Sequence, residues 1–240
     1  VVVLDAGATV SDAWMLGVAG EMNLSETAFL VPRSGGWSLR WFTPRVEVDL
    51  CGHATLAAAH VIWSHTGWRS ARILFESRSG ILPVERHDTR IVLDFPSRPG
   101  KPVEVTPALV HALGGRRPAM VYQARDLMAV FDNKRDVHEL VPDFGAMMKL
   151  DTLGVIATAP AAGHDFVSRF FAPRAGINED PVTGSAHCTL VPYWANKLGK
   201  AHVTGHQVSR RGGELFCELK GDRVLIGGAC VQYMQGKITV

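Results

Sequence analysis

Runs of like charge are missing from this chain. Lys and Arg total 25 against 23 Asp and Glu, a formal net charge of +2, and basic residues gather no further than pairs such as Arg116-Arg117 and Arg210-Arg211. A nucleic-acid surface needs a basic stripe, so nucleic acid is not an expected partner. Long apolar runs are missing too. The longest are Val1 to Leu4 and Ala54 to Trp63, the second interrupted by His60, well short of the roughly 20 residues that cross a bilayer. No membrane helix is expected. Cysteine is scarce: Cys51, Cys188, Cys217 and Cys230 form neither a CxxC pair nor a metal-finger spacing. Reduced thiols in a cytoplasmic protein without a signal peptide are the economical expectation.

Cofactor signatures are also lacking. The chain has ten histidines, but no HExxH occurs, and His53 and His60 stand seven apart rather than at the i, i+4 spacing of a zinc helix. There is no glycine-rich phosphate loop, nucleotide fingerprint or GxSxG elbow. The expectation is a protein without metal or cofactor.

What is present is a composition 47% hydrophobic, enough for one large core or two small ones, and an internal repeat. At a shift of 132 residues, Gly52 falls on Gly184, Ala54 on Ala186, Gly67 on Gly199, and Ser77-Arg78-x-Gly80 on Ser209-Arg210-x-Gly212. Upstream, Arg40 to Arg45 mirrors Arg169 to Arg174 at a shift of 129, which places a small insertion around Gly176 to Asp180. Downstream, Arg90-Ile-Val-Leu echoes Arg223-Val-Leu-Ile at a shift of 133.

Each repeat reads strand, loop, helix, then two or three strands. Ser38 to Thr43 and Asp165 to Ala172 are aromatic-rich strands stopped by proline. His53 to Thr66 and Ser185 to Leu198 carry few charges and predict helices buried on all sides, ended near Gly67 and Gly199. The strands Ile73 to Ser77, Ile81 to Arg86 and Arg90 to Phe95 follow in one half, and His202 to Arg210, Glu214 to Leu219 and Arg223 to Tyr233 in the other. Ser-Gly, His-Asp and Gly-Asp turns make them antiparallel hairpins. The fold class is therefore α+β: two pseudo-symmetric domains, each a curled, mainly antiparallel, barrel-like sheet around a central helix. The boundaries are 1–98 and 99–240, linked through Pro96 to Thr106, with the last strand able to return to the first domain. Because the first half has fewer residues ahead of Arg40 than the second has ahead of Arg169, its start is expected to be incomplete by about a strand and a turn.

Three segments combine glycine, hydroxyls and ionisable groups: Asn23 to Thr27, Asp49 to Thr55, and Glu179 to His187. The last two begin the equivalent helices, where unpaired N–H groups and the positive dipole end favour an anion. Two such starts facing each other would hold a carboxylate, and Gly52 and Gly184 allow close approach. Read singly, the same residues are ordinary caps. Glu26, between a helix over Ser11 to Glu21 and a strand over Thr27 to Val31, reads on spacing alone as a solvated loop acid.

Taken together, Asn23-Leu24-Ser25-Glu26-Thr27-Ala28-Phe29, Cys51-Gly52-His53-Ala54-Thr55-Leu56-Ala57 and Asp180-Pro181-Val182-Thr183-Gly184-Ser185-Ala186-His187 resemble, in order, the three signatures of the phenazine-biosynthesis (PhzF-like) isomerase family. The resemblance implies a diaminopimelate-epimerase-like fold with the active site between the domains. It implies Glu26 as catalytic acid/base with His53, Asp180 and Ser185 beside it, and Gly52, Thr183, Gly184, Ser25 and Cys51 around the ligand. The implied reaction is cofactor-free relocation of a proton on a small carboxylate-bearing molecule, in a homodimer, with the Glu26 pKa raised by burial. Epimerase relatives place a cysteine before the glycine of each central helix; here those positions are Cys51 and Thr183, so two-thiol chemistry is disfavoured. An epimerase using one base, or Glu26 with Cys51, and a non-catalytic binding protein are the alternatives.

Overall fold

The computed structural model describes residues 1–87 and 90–238. Period-two burial builds most of it. In the strand Arg90–Pro96, Ile91, Leu93 and Phe95 are buried between half-buried neighbours, as a sheet with one face on a core requires.

The first half runs β1 (Val2–Val3), α1 (Asp12–Met22), β2 (Thr27–Arg33), β3 (Gly36–Phe42), β4 (Glu47–Val48), α2 (Gly52–His65), β5 (Arg72–Ser77), β6 (Gly80–His87) and β7 (Arg90–Pro96). The second begins with β8 (Lys101–Val103), α3 (Pro107–Ala112), β9 (Met120–Gln123), β10 (Leu127–Val130), α4 (Lys134–His138) and α5 (Phe144–Met147). It continues with β11 (Val155–Pro160), β12 (Phe166–Ala172), β13 (Ile177–Asp180), α6 (Gly184–Leu198), β14 (His202–Gln207), β15 (Gly213–Lys220) and β16 (Arg223–Gly228). The turn expected at His87-Asp88 lies outside the described residues.

Hydrogen-bonded order exposes the symmetry. The run β2-β3-β5-β6-β7 meets the run β16-β15-β14-β12-β11, so the second half repeats the first in reverse across the β7–β16 junction. In both runs the second pair from the outer end follows the same rule: β3 with β5 and β12 with β14 are parallel among antiparallel neighbours. The junction pairs Ile91 with Gly228 through Pro96 with Arg223, and the Arg223 guanidinium donates to the Asp94 carboxylate at 2.7 Å. The two halves therefore share one curled sheet with a central helix on each side of the junction.

Two expectations need correction, the extent of the last strand and the burial of α2. Strand β16 stops at Gly228 rather than reaching Tyr233, because Val231, Tyr233 and Met234 find no strand partner and stand exposed. The Pro-rich link carries β8, an edge strand pairing β9, where Pro102 is tolerated. Finally, α6 is buried continuously from Gly184 to Pro192, but α2 is not buried on all sides, since Leu56, His60, Val61 and Trp63 are only half-buried. On α6 the half-buried Tyr193 is packed by Tyr122 of β9, ring centres 5.2 Å apart, whereas on α2 the half-buried Trp63 is covered by the Arg86 guanidinium.

The repeat also carries a brace. Arg40 on β3 makes a two-pronged bond to Glu47 on β4, at 2.7 Å on each prong. Arg169 on β12 does the same to Glu179 on β13, at 2.7 and 2.9 Å. Such bidentate pairs fix geometry as well as supply energy. Each one holds the short strand that leads into a central helix.

Candidate active site

The two helix starts touch. A Cβ placed on Gly52 would lie 2.7 Å from the Cα of Gly184, and one on Gly184 would lie 2.8 Å from the Cα of Gly52. Only residues without a side chain permit this approach, so the shared glycine of the repeat is the contact itself. The free N–H groups of α2 and α6 consequently converge at one seam.

Glu26 reaches this seam from the other side of the first half. Helix α1 ends at Asn23, whose left-handed backbone (φ 47°) turns the chain toward β2; asparagine accepts that conformation at low cost. Thr27 then enters the sheet buried, and Glu26, one residue earlier, projects beside α2 with a side chain only 11% exposed.

His53 lies between the acids. Its Nδ1 stands 3.0 Å from the Val182 carbonyl, an acceptor only, which assigns a proton to Nδ1. Its Nε2 is 3.0 Å from Glu26 Oε2 and 3.2 Å from Ser25 Oγ. Asp180 Oδ1 approaches Nδ1 at 3.9 Å, and Cys51 Sγ lies 3.8 Å from the same nitrogen. Although Glu26 Oε2 is close to His53, it is off the donor line and accepts no aligned hydrogen bond; the same holds for Asp180 Oδ1. Two buried carboxylate oxygens are thus left open in one small cleft, lined also by Gly52, Gly184 and Ser185.

The loop before α6 is held from beneath. Gln207, at the end of β14 and fully buried, accepts from the Thr183 N–H and donates to the Asp180 carbonyl and the Thr183 hydroxyl, at 2.8, 2.7 and 3.1 Å. The Thr183 hydroxyl in turn donates to Asp180 Oδ2. Asp180 therefore has one oxygen committed to the loop and one turned toward His53.

Comparison with known proteins places this arrangement. The family described as phenazine biosynthesis-like protein matches residues 1–236. The chain belongs to this family. An uncharacterized isomerase of Pseudomonas aeruginosa is 48% identical over 99% of this chain and 91% of its own length. The crystal structure of a putative phenazine biosynthesis PhzC/PhzF protein from Clostridium difficile superposes with a TM-score of 0.90 at 42% identity, covering 99% of this chain and 92% of that one. A probable proline racemase from Agrobacterium radiobacter, at 12% identity and a TM-score of 0.67 over 99% of this chain and 89% of that one, shares the fold alone. The diaminopimelate-epimerase-like architecture expected for a PhzF-like chain is the one found.

All nine residues singled out in the sequence of this PhzF-like chain meet at the seam. Ser25, Glu26, Cys51, Gly52 and His53 come from the first half, and Asp180, Thr183, Gly184 and Ser185 from the second. The electrostatics differ from expectation at Glu26. Burial raises its pKa, but the closeness and charge of His53, with Ser25 and Cys51 assisting, outweigh burial, and the carboxyl ends below its ordinary value. For His53, burial works downward, yet Cys51, Glu26 and Asp180 together hold it well above the usual imidazole range. Burial pushes the Cys51 thiol up to about 11, so near neutral pH it is uncharged and the carboxylates are what keep the proton on His53. Asp180 is the acid with the raised pKa, about 6, through burial and the Glu26 charge, partly opposed by His53. The expectation of a raised Glu26 is therefore corrected: the carboxyl held up at the seam is Asp180.

The donor atoms of Glu26, Cys51 and His53 lie within 4.8 Å of one another, but they spend this closeness on each other. The larger concavity of the molecule, near Arg90, His202 and Phe216 on the outer side of the β7–β16 junction, contains none of the motif residues. Two residues of the seam were not legible in the sequence: Gln207, and Arg125, which follows β9 and donates to Ser185 Oγ at 3.0 Å.

Proposed function

We propose that the chain is a cofactor-independent isomerase that relocates a proton on a small unsaturated or cyclic carboxylate. The observation that carries this reading is Glu26 Oε2: buried, without an aligned partner, and facing the cleft where two helix starts converge. Ionised beside an imidazolium, Glu26 is supplied as a base. It accepts the proton of a C–H bond; the bonding electrons move into the conjugated acid, and the same carboxyl returns the proton to a different carbon. The negative charge that develops is met by the N–H groups of α2 and α6 and by His53. A positioned acid/base supplies about 10² to 10⁴ in rate, and orientation in the closed seam contributes the remainder.

An epimerase working through thiols is poorly supported, because Cys51 is a high-pKa buried thiol and Thr183 occupies the mirrored position. A screen of small unsaturated acids by ligand-induced melting shift identifies binders, since binding adds stability as RT ln(1 + [L]/Kd). With a substrate so found, Glu26→Gln is expected to keep the melting shift and lose turnover by about 10² or more. Turnover in that variant within about twofold of wild type would overturn the assignment of the base.

A further inference from the structure

Arg125 lies in the short connection between β9 and β10, in a segment of the second half that the repeat does not cover. Among the described residues lining the cleft it is the one Lys or Arg, in the company of Glu26, Asp49 and Asp180. Its guanidinium is tied down on one edge only. Nε and Nη2 donate to Asp126 Oδ2 at 3.0 and 2.7 Å, and Nη2 also donates to Ser185 Oγ at 3.0 Å. Among the described residues, Nη1 has no partner.

The bond to Ser185 has a directional consequence. A hydroxyl that accepts from a guanidinium is left with its own O–H to give away, and no described group accepts it. Arg125 thereby turns Ser185 into a donor. Ser185 is itself buried, on the first turn of α6, where the helix N–H groups add to the same attraction for negative charge. Two charge-compatible donors, Nη1–H and the Ser185 O–H, with Asp126 as a buried anchor for the guanidinium, match the paired oxygens of a planar carboxylate.

We propose that Arg125 is a specificity-determining residue of this site, binding the substrate carboxylate together with the Ser185 hydroxyl it orients. This rests on the reading of the seam as a site for a carboxylate, and does not depend on which residue moves the proton. Without Arg125, a cleft lined by three acids would repel the anion that the helix starts attract. With it, the acid is selected over its neutral amide.

The test uses full-length protein and two pairs of probes, cyclohex-1-ene-1-carboxylate and benzoate, each against its primary amide, with Kd from calorimetry. Wild type is expected to bind at least one carboxylate and to prefer it to the amide. In Arg125→Gln carboxylate affinity should fall roughly tenfold to hundredfold, the worth of a charged hydrogen bond, with amide affinity changed much less. Arg125→Lys should retain part of the preference. If Arg125→Gln does not fold, Ser185→Ala, which leaves the Arg125–Asp126 pair intact, should show the same selective loss. Equal loss for carboxylate and amide, or wild type with no preference for the acid, would overturn the proposal. Solvent-hydrogen exchange that survives in Glu26→Gln would sink the role of Glu26 while leaving this result standing.

Discussion

At the scale of single residues, the seam is a chain of charges in which each sets the next. Glu26 is held ionised by His53; His53 is held protonated by Glu26 and Asp180; Asp180, raised by its burial and by the Glu26 charge against the pull of His53, has a pKa of about 6. Below that pH Asp180 is neutral. As the pH rises through 6 it ionises beside Glu26, and two negative charges then oppose an anionic substrate. We therefore expect kcat/KM to decline on raising the pH through about 6, and Asp180→Asn to remove that limb from the profile. A profile unchanged by Asp180→Asn would contradict the assignment. The conformational linkage has the same sign: an acid whose pKa is raised by folding gives stability below its unfolded value of 3.8 and withdraws it as pH climbs through about 6. Glu26 itself was legible only through the family resemblance, because its surroundings come from α2, 27 residues away along the chain at His53. Nothing in its own segment distinguishes it from a solvated loop acid.

At the scale of elements, the contact between α2 and α6 is the feature on which the site depends. The convergence of the two helix starts was legible because the repeat sets Gly52 on Gly184, but the glycines were read as making room for a ligand, and their contact with each other was not legible. The Arg40–Glu47 and Arg169–Glu179 braces were half legible: the arginines match at a shift of 129 and the glutamates at 132, but nothing along the chain says that the two residues of each half pair. Gln207 could not be read at all. Its counterpart at a shift of 132 is Phe75, a buried core residue, so the halves diverge where one of them needs to hold a loop. Gly52→Ala tests the contact. A methyl group 2.7 Å from the Gly184 Cα must push one helix away, at a cost of about 1 to 3 kcal/mol in unfolding free energy, read as a lowered urea midpoint, and should lower turnover by more than the loss of stability explains. An unchanged midpoint would mean that the helix starts do not abut.

For the whole molecule, pairing of β7 with β16 makes one sheet of two similar halves. The duplication was visible because its Gly, Pro and Arg positions are fixed by turns and braces. The stretch from β8 to α5 was not: only β10 has a counterpart in the first half, β1, each pairing parallel with the strand after it, yet the stretch supplies Arg125. A shared sheet and a core cluster running through both helices should unfold as one unit. Fluorescence is weighted to the first half, which holds Trp14, Trp37, Trp41, Trp63 and Trp68 against Trp194 in the second, whereas far-ultraviolet circular dichroism reports on both. The two signals are expected to give coincident urea transitions. Separate midpoints would show the halves to be independent.

The central claim is that Glu26 moves a proton between two carbons of a bound acid. It is tested most directly by following a substrate in deuterium oxide by NMR, in wild type, Glu26→Gln and Cys51→Ala. The account predicts deuterium at the carbon that gains the proton in wild type and in Cys51→Ala, and none in Glu26→Gln. Deuterium incorporation that persists in Glu26→Gln, or disappears only in Cys51→Ala, would contradict it.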